Sequence, residues 1–451
     1  MLKTKIIAGL ITGCLLSACG GGSSSSPDVP PGNGNGSGNS TLTFQANVIQ
    51  ETMCGTTSSS SNAELLVHDQ NWKVLSRHKA DATGKISASI TGASHANISL
   101  ITFSTGSNAE FVVSSYAQHP VVNLGTILIP GKTQQGCECQ STNVRVTSSV
   151  GTLNTSSVQL TGFSSPEQRK TLLSNNEVMF EQVGLCRATN GSWPLLTAFA
   201  NNGTPDAIAG SIRQYNVNND VELLLNQSAA ALPISINSSN ASLLEIHYTE
   251  TGASTARSRS NSNEAYVFNQ LDGVTFVTLR ASQSQFDVVD GGNVFRTSSQ
   301  RQNLNTPLSG SVILNIPNTD AMSALENFLF RDLQSNNNSY NLGSIQGFNT
   351  FYLYAQTTLT DGTRFFQSFI GPLQGFYPDE IVPADYGIEN KLDDNISSTI
   401  AASVIRYGDD ESYQQYLLNQ VERSALPFAS RMTGKWSKYS TVSLQITTTS
   451  N

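Results

Sequence analysis

Phe351-Tyr352-Leu353-Tyr354-Ala355-Gln356-Thr357-Thr358-Leu359-Thr360-Asp361-Gly362-Thr363-Arg364-Phe365-Phe366-Gln367-Ser368-Phe369-Ile370 reads as two strands around a turn. Aromatic, β-branched and hydroxyl residues fill both runs, and Asp-Gly suits the centre of a type I′ turn, whose twist matches that of the flanking strands. A two-residue closure pairs Thr360 with Thr363. Because strand side chains alternate with period two, that pair sets all the others. One face is then expected to carry Phe351, Leu353, Ala355, Leu359, Phe366 and Ile370, an ordinary core face. The other carries Tyr352, Tyr354, Gln356, Phe365, Gln367 and Phe369. Rings mixed with amides suit a platform that stacks on sugar rings or caps a partner. This nominates Tyr352, Tyr354, Phe365 and Phe369 as candidate ligand-binding residues. The competing expectation is burial of this face beneath a helix carrying Phe328, since exposed apolar patches of that size are uncommon.

Outward from the hairpin, short alternating runs broken by Gly, Asn, Asp and Ser continue in both directions, the pattern of antiparallel β-sandwiches. About 410 residues follow residue 40, a length that corresponds to about three domains. The expected fold class is mainly β: tandem antiparallel β-sandwich domains over residues 41–132 and 136–232, followed by an α+β C-terminal region over 233–451. In the second sandwich, strands are expected at Thr142–Val146, Ser157–Leu160, Leu195–Ala200 and Asp220–Leu224. A short helix is expected to begin at Ser165-Pro166-Glu167, with Ser as cap and Pro at the first helical position. Past Pro233, Asp320 caps an expected helix whose Leu325, Phe328 and Leu329 share a face. Ile396, Ile400 and Val404 mark a second helix stopped by Gly408, and Tyr413, Tyr416, Leu417 and Val421 a third. Val442, Leu444 and Ile446 mark a last strand.

The first segment is the most regular. Ala63–Val67 and Lys73–Leu75 flank the turn His68–Asn71; then come Asp81-Ala82-Thr83-Gly84, the alternating Lys85–Ile90 and the closing Asn123–Ile129. This order resembles the carboxypeptidase regulatory-like (transthyretin-like) domains of secreted bacterial proteins, although the family's Gly-x-Val opening is absent. The resemblance covers about ninety residues and implies a non-catalytic β-sandwich module.

At the other extreme, Lys3 and Lys5 precede an apolar run from Ile6 to Leu16 that is too short for a stable bilayer span and reads as a signal peptide over residues 1–18. Leu16-Ser17-Ala18-Cys19 resembles the lipobox of bacterial lipoproteins, which implies acylation of Cys19 and attachment to a membrane through it. Gly20 in the next position implies, by the sorting behaviour of that family in diderm cells, an outer-membrane lipoprotein, facing the periplasm or the cell surface. Residues 19–40 carry Gly, Ser, Asn and Pro with one charge, Asp28, and cannot bury enough surface to order. Such a tether has an r.m.s. reach of about 25 Å.

Charged residues make up 13% of the chain and the net charge is −8, which leaves a surface wetted by hydroxyls and amides and no basic patch for nucleic acid. Envelope or extracellular proteins and glycans are the partners that fit. Four cysteines remain besides the leader and Cys19: Cys54, Cys137, Cys139 and Cys186. In an oxidising compartment an even number favours two disulfides, with three pairings open. The pairing preferred is Cys139 with Cys186 inside one domain and Cys54 with Cys137 across a junction. A redox or metal role for Cys137-Glu138-Cys139 lacks a Cys-x-x-Cys partner or nearby His.

Motifs of catalysis are sparse. Ser76-Arg77-His78-Lys79 matches Ser-x-x-Lys by letters, yet on a strand its first and last residues face opposite ways. The five histidines, His68, His78, His95, His119 and His247, show no zinc-hydrolase spacing and are expected in turns or on the surface. Asp379, Glu380, Asp385, Glu389, Asp393 and Asp394 form the densest acidic stretch, with Asp409, Asp410 and Glu411 close behind. Calcium is the cation that suits it, but no Asp-x-Asp-x-Asp-Gly loop appears, and no cofactor is expected. The sequence therefore favours binding or scaffolding, as in adhesion or glycan or protein binding. The rival is a secreted-type hydrolase with its active site in the C-terminal region.

Overall fold

The computed structural model describes residues 41–448 apart from 106–108, 165–168, 202–206, 250–253, 261–262, 290–291, 309, 334–337, 379–381, 394–395, 409–411, 425 and 427. The leader, Cys19 and the tether, like the helix expected at Ser165–Glu167, lie outside the described residues, and the chain is already strand from Arg169. Strand accounts for 58% of the described residues and helix for 10%, so the fold is mainly β.

A sheet of twelve strands forms the spine of the described residues. In spatial order these are Ser254–Ser260, Ser242–Thr249, Val274–Val289, Gly292–Asn305, Lys438–Thr448, Ser398–Tyr407, Thr350–Thr358, Arg364–Gly371, Glu110–Pro120, His95–Phe103, Ala63–His68 and Val74–Lys79. The last four come from the first sandwich. Arg364–Gly371 joins them by pairing in parallel with Glu110–Pro120. The first sandwich therefore shares a sheet with the C-terminal region, and the expected boundary near residue 132 is not a break in hydrogen bonding.

The first sandwich closes when Thr41–Thr52, flanked by Thr57–Ser59, Lys85–Thr91 and Asn123–Thr133, packs Phe44, Ala46 and Val48 onto Leu65, Val67 and Ile98. Every residue of Ala63–His68 is buried. Leu65 and Val67 face this core, whereas Leu66 faces another with Ile101, Phe111, Phe365 and Ile388. Covered on both faces, the strand buries Glu64 and His68 along with its apolar residues.

Two four-stranded sheets make the second sandwich, around Val144, Val146, Phe180, Leu185, Leu196 and Leu223. The four expected strands of this segment are all present. Cys139 and Cys186 sit opposite each other on adjacent strands and form one disulfide; Cys54–Cys137 forms the other and ties the first sandwich to the second. At the far end of the spine, Ala230–Ile236, Glu264–Val267 and Val312–Leu314 cover Leu243, Val277 and Leu279.

The helix Asp320–Asn327, continued by a π-turn over Phe328–Asp332, lies on the middle of the spine and buries Leu325 and Phe328 against Phe351, Phe369, Ala402 and Leu444. A second helix, Tyr413–Ser424, packs Tyr413, Tyr416 and Leu417 on Ile370, Ile405 and Tyr407. The helix expected around Ile396, Ile400 and Val404 is instead the strand Ser398–Tyr407. Residues four apart share a face in both conformations, so that spacing does not discriminate. Residues 400–405 are all buried, with Ile400, Ala402 and Val404 on the side of the Phe328 helix and Ile405 on the other, and the β-branched residues suit the strand. Among the described residues no helix is long and apolar enough to cross a membrane.

Candidate ligand-binding face

The central hairpin turns through three residues rather than two. The Gly362 N–H donates to the Leu359 carbonyl and the Leu359 N–H to that of Thr363, while Gly362 takes φ +83° and the Thr363 N–H donates to Asp361 Oδ1. This is a type I turn closed by a left-handed glycine. Leu359 therefore opposes Thr363, and pairing proceeds as Thr357 with Phe365 and Leu353 with Phe369. The shift of one residue moves every side chain of the second strand to the other face.

Phe365 and Phe369 are consequently buried at 0% and 3% exposure, on the side of Phe351 and the Phe328 helix. The expected group of four is split: Tyr352 and Tyr354 lie on the opposite face and are joined there by Phe366. The ring of Tyr354 stacks on that of Tyr352 at 6.3 Å and tilts against Phe366 at 6.4 Å. Segregation of apolar residues was the signal that could have found this register. A three-residue turn unites Phe365 and Phe369 with Phe351 and Leu353, whereas a two-residue turn divides them.

The face bearing Tyr354 extends over five strands as rows of directly opposed residues. One row runs Phe295, Gln445, Ala401, Tyr354, Ser368; the next runs Asn293, Thr447, Thr399, Gln356, Phe366. At about 4.8 Å between strands, each row spans roughly 20 Å. Neither contains a charge. Most members are half-exposed, with Phe295 at 39%. Hydroxyls and amides tie the rows together: Tyr354 donates to Gln356 Oε1 at 2.7 Å, and Thr399 and Thr447 share a contact of 3.1 Å. Burial raises the Tyr352 and Tyr354 hydroxyls above the usual tyrosine range, which keeps both neutral. At one edge the Arg364 guanidinium pairs with Glu110 and lies 5.8 Å over the Phe366 ring.

Elsewhere the chemistry-bearing residues serve the fold. His68, His119 and His247 are buried at 3–5% exposure, against the expectation of turn or surface positions. His68 Nδ1 donates to the Trp72 carbonyl at 3.0 Å, so Nε2 accepts from Ser99 Oγ at 2.9 Å. Burial holds its pKa below the usual value and keeps it neutral. That contact has the length a nucleophile and base need, but Ser99 is wholly buried, out of reach of a substrate. Ser76 and Lys79 lie on a strand with alternating exposure, as their spacing requires. Glu138, between its two disulfide-bonded neighbours, bonds Arg187.

Of the acidic stretch, Asp385 accepts from Arg77 at 2.9 and 3.0 Å. Asp379, Glu380, Asp394, Asp409, Asp410 and Glu411 lie outside the described residues. Among the described residues no three His, Cys, Asp or Glu side chains are grouped to hold a metal ion. No protein-family model matches the chain, and no curated protein matches it.

Proposed function

We propose that this chain is a lipid-anchored envelope protein that works by binding, with the uncharged face around Tyr354 as its contact surface for neutral glycan. The observation that carries the reading is the pair of rows across five strands, with rings at Phe295, Tyr354 and Phe366 among hydroxyls and amides. Sugar rings present apolar C–H faces ringed by hydroxyls. Aromatic faces stack on the former, and Gln, Asn, Ser and Thr side chains exchange hydrogen bonds with the latter. Two disulfides suit an oxidising compartment, in keeping with a leader over residues 1–18 followed by Cys19 and a tether that carries the folded part away from the membrane.

A glycan array probed with the chain from residue 41 tests the reading. Neutral polysaccharide should bind, and Tyr354→Ala together with Phe366→Ala should abolish the signal. Binding unchanged by both substitutions would place the site elsewhere. For the anchor, Cys19→Ser should move the protein from the membrane to the soluble fraction. Protease digestion of intact cells then separates surface display from a periplasmic orientation.

A further inference from the structure

The opposite face of the spine carries a second recess. A cleft of about 450 Å³ is lined by Gln300, Ser440, Arg406 and Lys438 and by the loop residues Asn318 and Phe348, among others. Its floor is one row of neighbouring strands, with Gln300 opposed to Ser440 and Ser440 to Arg406. The floor is held in place: the Asn315 N–H donates to Gln300 Oε1 at 2.5 Å and Gln300 Nε2 donates to Ser440 Oγ at 3.3 Å. At one end Gly408 has φ +62°, and a Cβ there would lie 2.3 Å from the Lys435 carbonyl oxygen, so only glycine lets the chain close the cleft this tightly.

Arg406 and Lys438 are both exposed, and among the described residues no carboxylate bonds to either. They put two positive charges in a recess of a chain whose net charge is −8. The volume falls within the range of about 300–1,000 Å³ typical of small-ligand sites. A guanidinium fork matches a carboxylate, with an ammonium beside it as a second point charge. Asn318 and Gln346 add amides, which both donate to and accept from hydroxyls, and Phe348 adds an apolar ring surface.

We infer that this cleft binds an acidic sugar unit, a pyranose bearing a carboxylate: its anion sits on Arg406 and Lys438 and its hydroxyls on the amides of the loops. The site is separate from the Tyr354 face and stands whether or not that face binds glycan.

Titration calorimetry of the full chain in detergent, with trigalacturonic acid against neutral galactotriose, tests the inference. The acid should bind at least about ten-fold more tightly, the effect of a charge-assisted contact, and more weakly as salt rises. Arg406→Gln and Lys438→Gln should each weaken it by about ten-fold, while Tyr354→Ala leaves it unchanged. Both cations are surface side chains, and an unaltered thermal midpoint confirms the fold of each variant; if one variant unfolds, the other carries the test. Neutralising the acidic residues that follow Gly408, as D409N/D410N/E411Q, should leave acid binding intact or strengthen it, and loss of binding there would count against the assignment. Equal affinity for the neutral sugar, no binding of the acid at millimolar concentration, or indifference to both cation substitutions would overturn it. Competition by inorganic phosphate as strong as by the acid would reduce the site to a general anion pocket and overturn the sugar assignment.

Discussion

Gly362 shows how one residue decides which side chains of a hairpin are buried and which stay exposed. Its left-handed φ completes a three-residue turn, and that single extra residue carries Phe365 and Phe369 into the core and leaves Phe366 beside Tyr354. Phe365→Ala should therefore cost about 3–5 kcal/mol of stability, read by denaturant unfolding, without moving glycan affinity. Tyr354→Ala should do the reverse, with a stability change below about 1 kcal/mol and loss of glycan binding. A larger stability loss at Tyr354 than at Phe365 would contradict the assignment of faces. Gly362→Ala meets no neighbour within 4 Å, so its cost should be the backbone strain alone, about 1–2 kcal/mol.

Elements dock through a few polar contacts as well as through apolar cores. Glu64, on a strand of the first sandwich, receives Arg77 Nε and Nη2 at 2.8 and 2.9 Å and the Tyr386 hydroxyl at 2.8 Å, while Arg77 also reaches Asp385. The short 3₁₀ turn Ala384–Tyr386 is thereby fastened to strands more than three hundred positions earlier. Burial is the largest influence on the Glu64 carboxyl and pushes its pKa up. The hydrogen bonds from Arg77 and Tyr386, with the charges of Arg77 and Lys79, outweigh burial and hold it below the usual value. A carboxyl depressed in the folded state contributes stability that is complete above the ordinary glutamate value of about 4.3 and is lost as pH falls through the lower folded value. Glu64→Gln should flatten that acid limb of the stability curve, and an unaltered limb would refute the linkage. Arg77→Ala leaves the carboxylate buried without its cation and should cost about 3 kcal/mol near neutral pH.

At the scale of the whole molecule, the spine sheet joins strands from both ends of the chain, and Cys54–Cys137 adds a covalent tie between the first two sandwiches. The two bridges span 83 and 47 residues, lengths for which loop-closure entropy predicts about 4 kcal/mol each. Cys54→Ala with Cys137→Ala should lower stability by up to that amount while the Cys139–Cys186 bridge and the second sandwich's core persist. Calorimetric scans with and without reductant check both. Much of this architecture was legible in the linear chain. Alternation with period two exposed the strands of the first two sandwiches, and Leu325, Phe328 and Leu329 exposed the helix over the spine, because local periodicity reports which side of an element meets a core. The Ile396–Val404 segment was misread because a spacing of four belongs to helix and strand alike. Residue types also signalled rings sharing one face of the hairpin; Tyr352 and Tyr354 do share one, with Tyr354 half-exposed and Tyr352 packed against the cluster of Ile370 and Tyr416. The register that set Phe366 in place of Phe365 and Phe369 was legible only in which turn length keeps the apolar residues of the hairpin on one face. Two things were decided only by the tertiary structure: the parallel pairing of Arg364–Gly371 with Glu110–Pro120 and the meeting of Gln300, Ser440 and Arg406 on one cleft floor. Both depend on contacts between segments distant in the chain. Local propensity and periodicity carry no information about these, since the same alternating pattern satisfies many pairings and only simultaneous packing of both faces selects one.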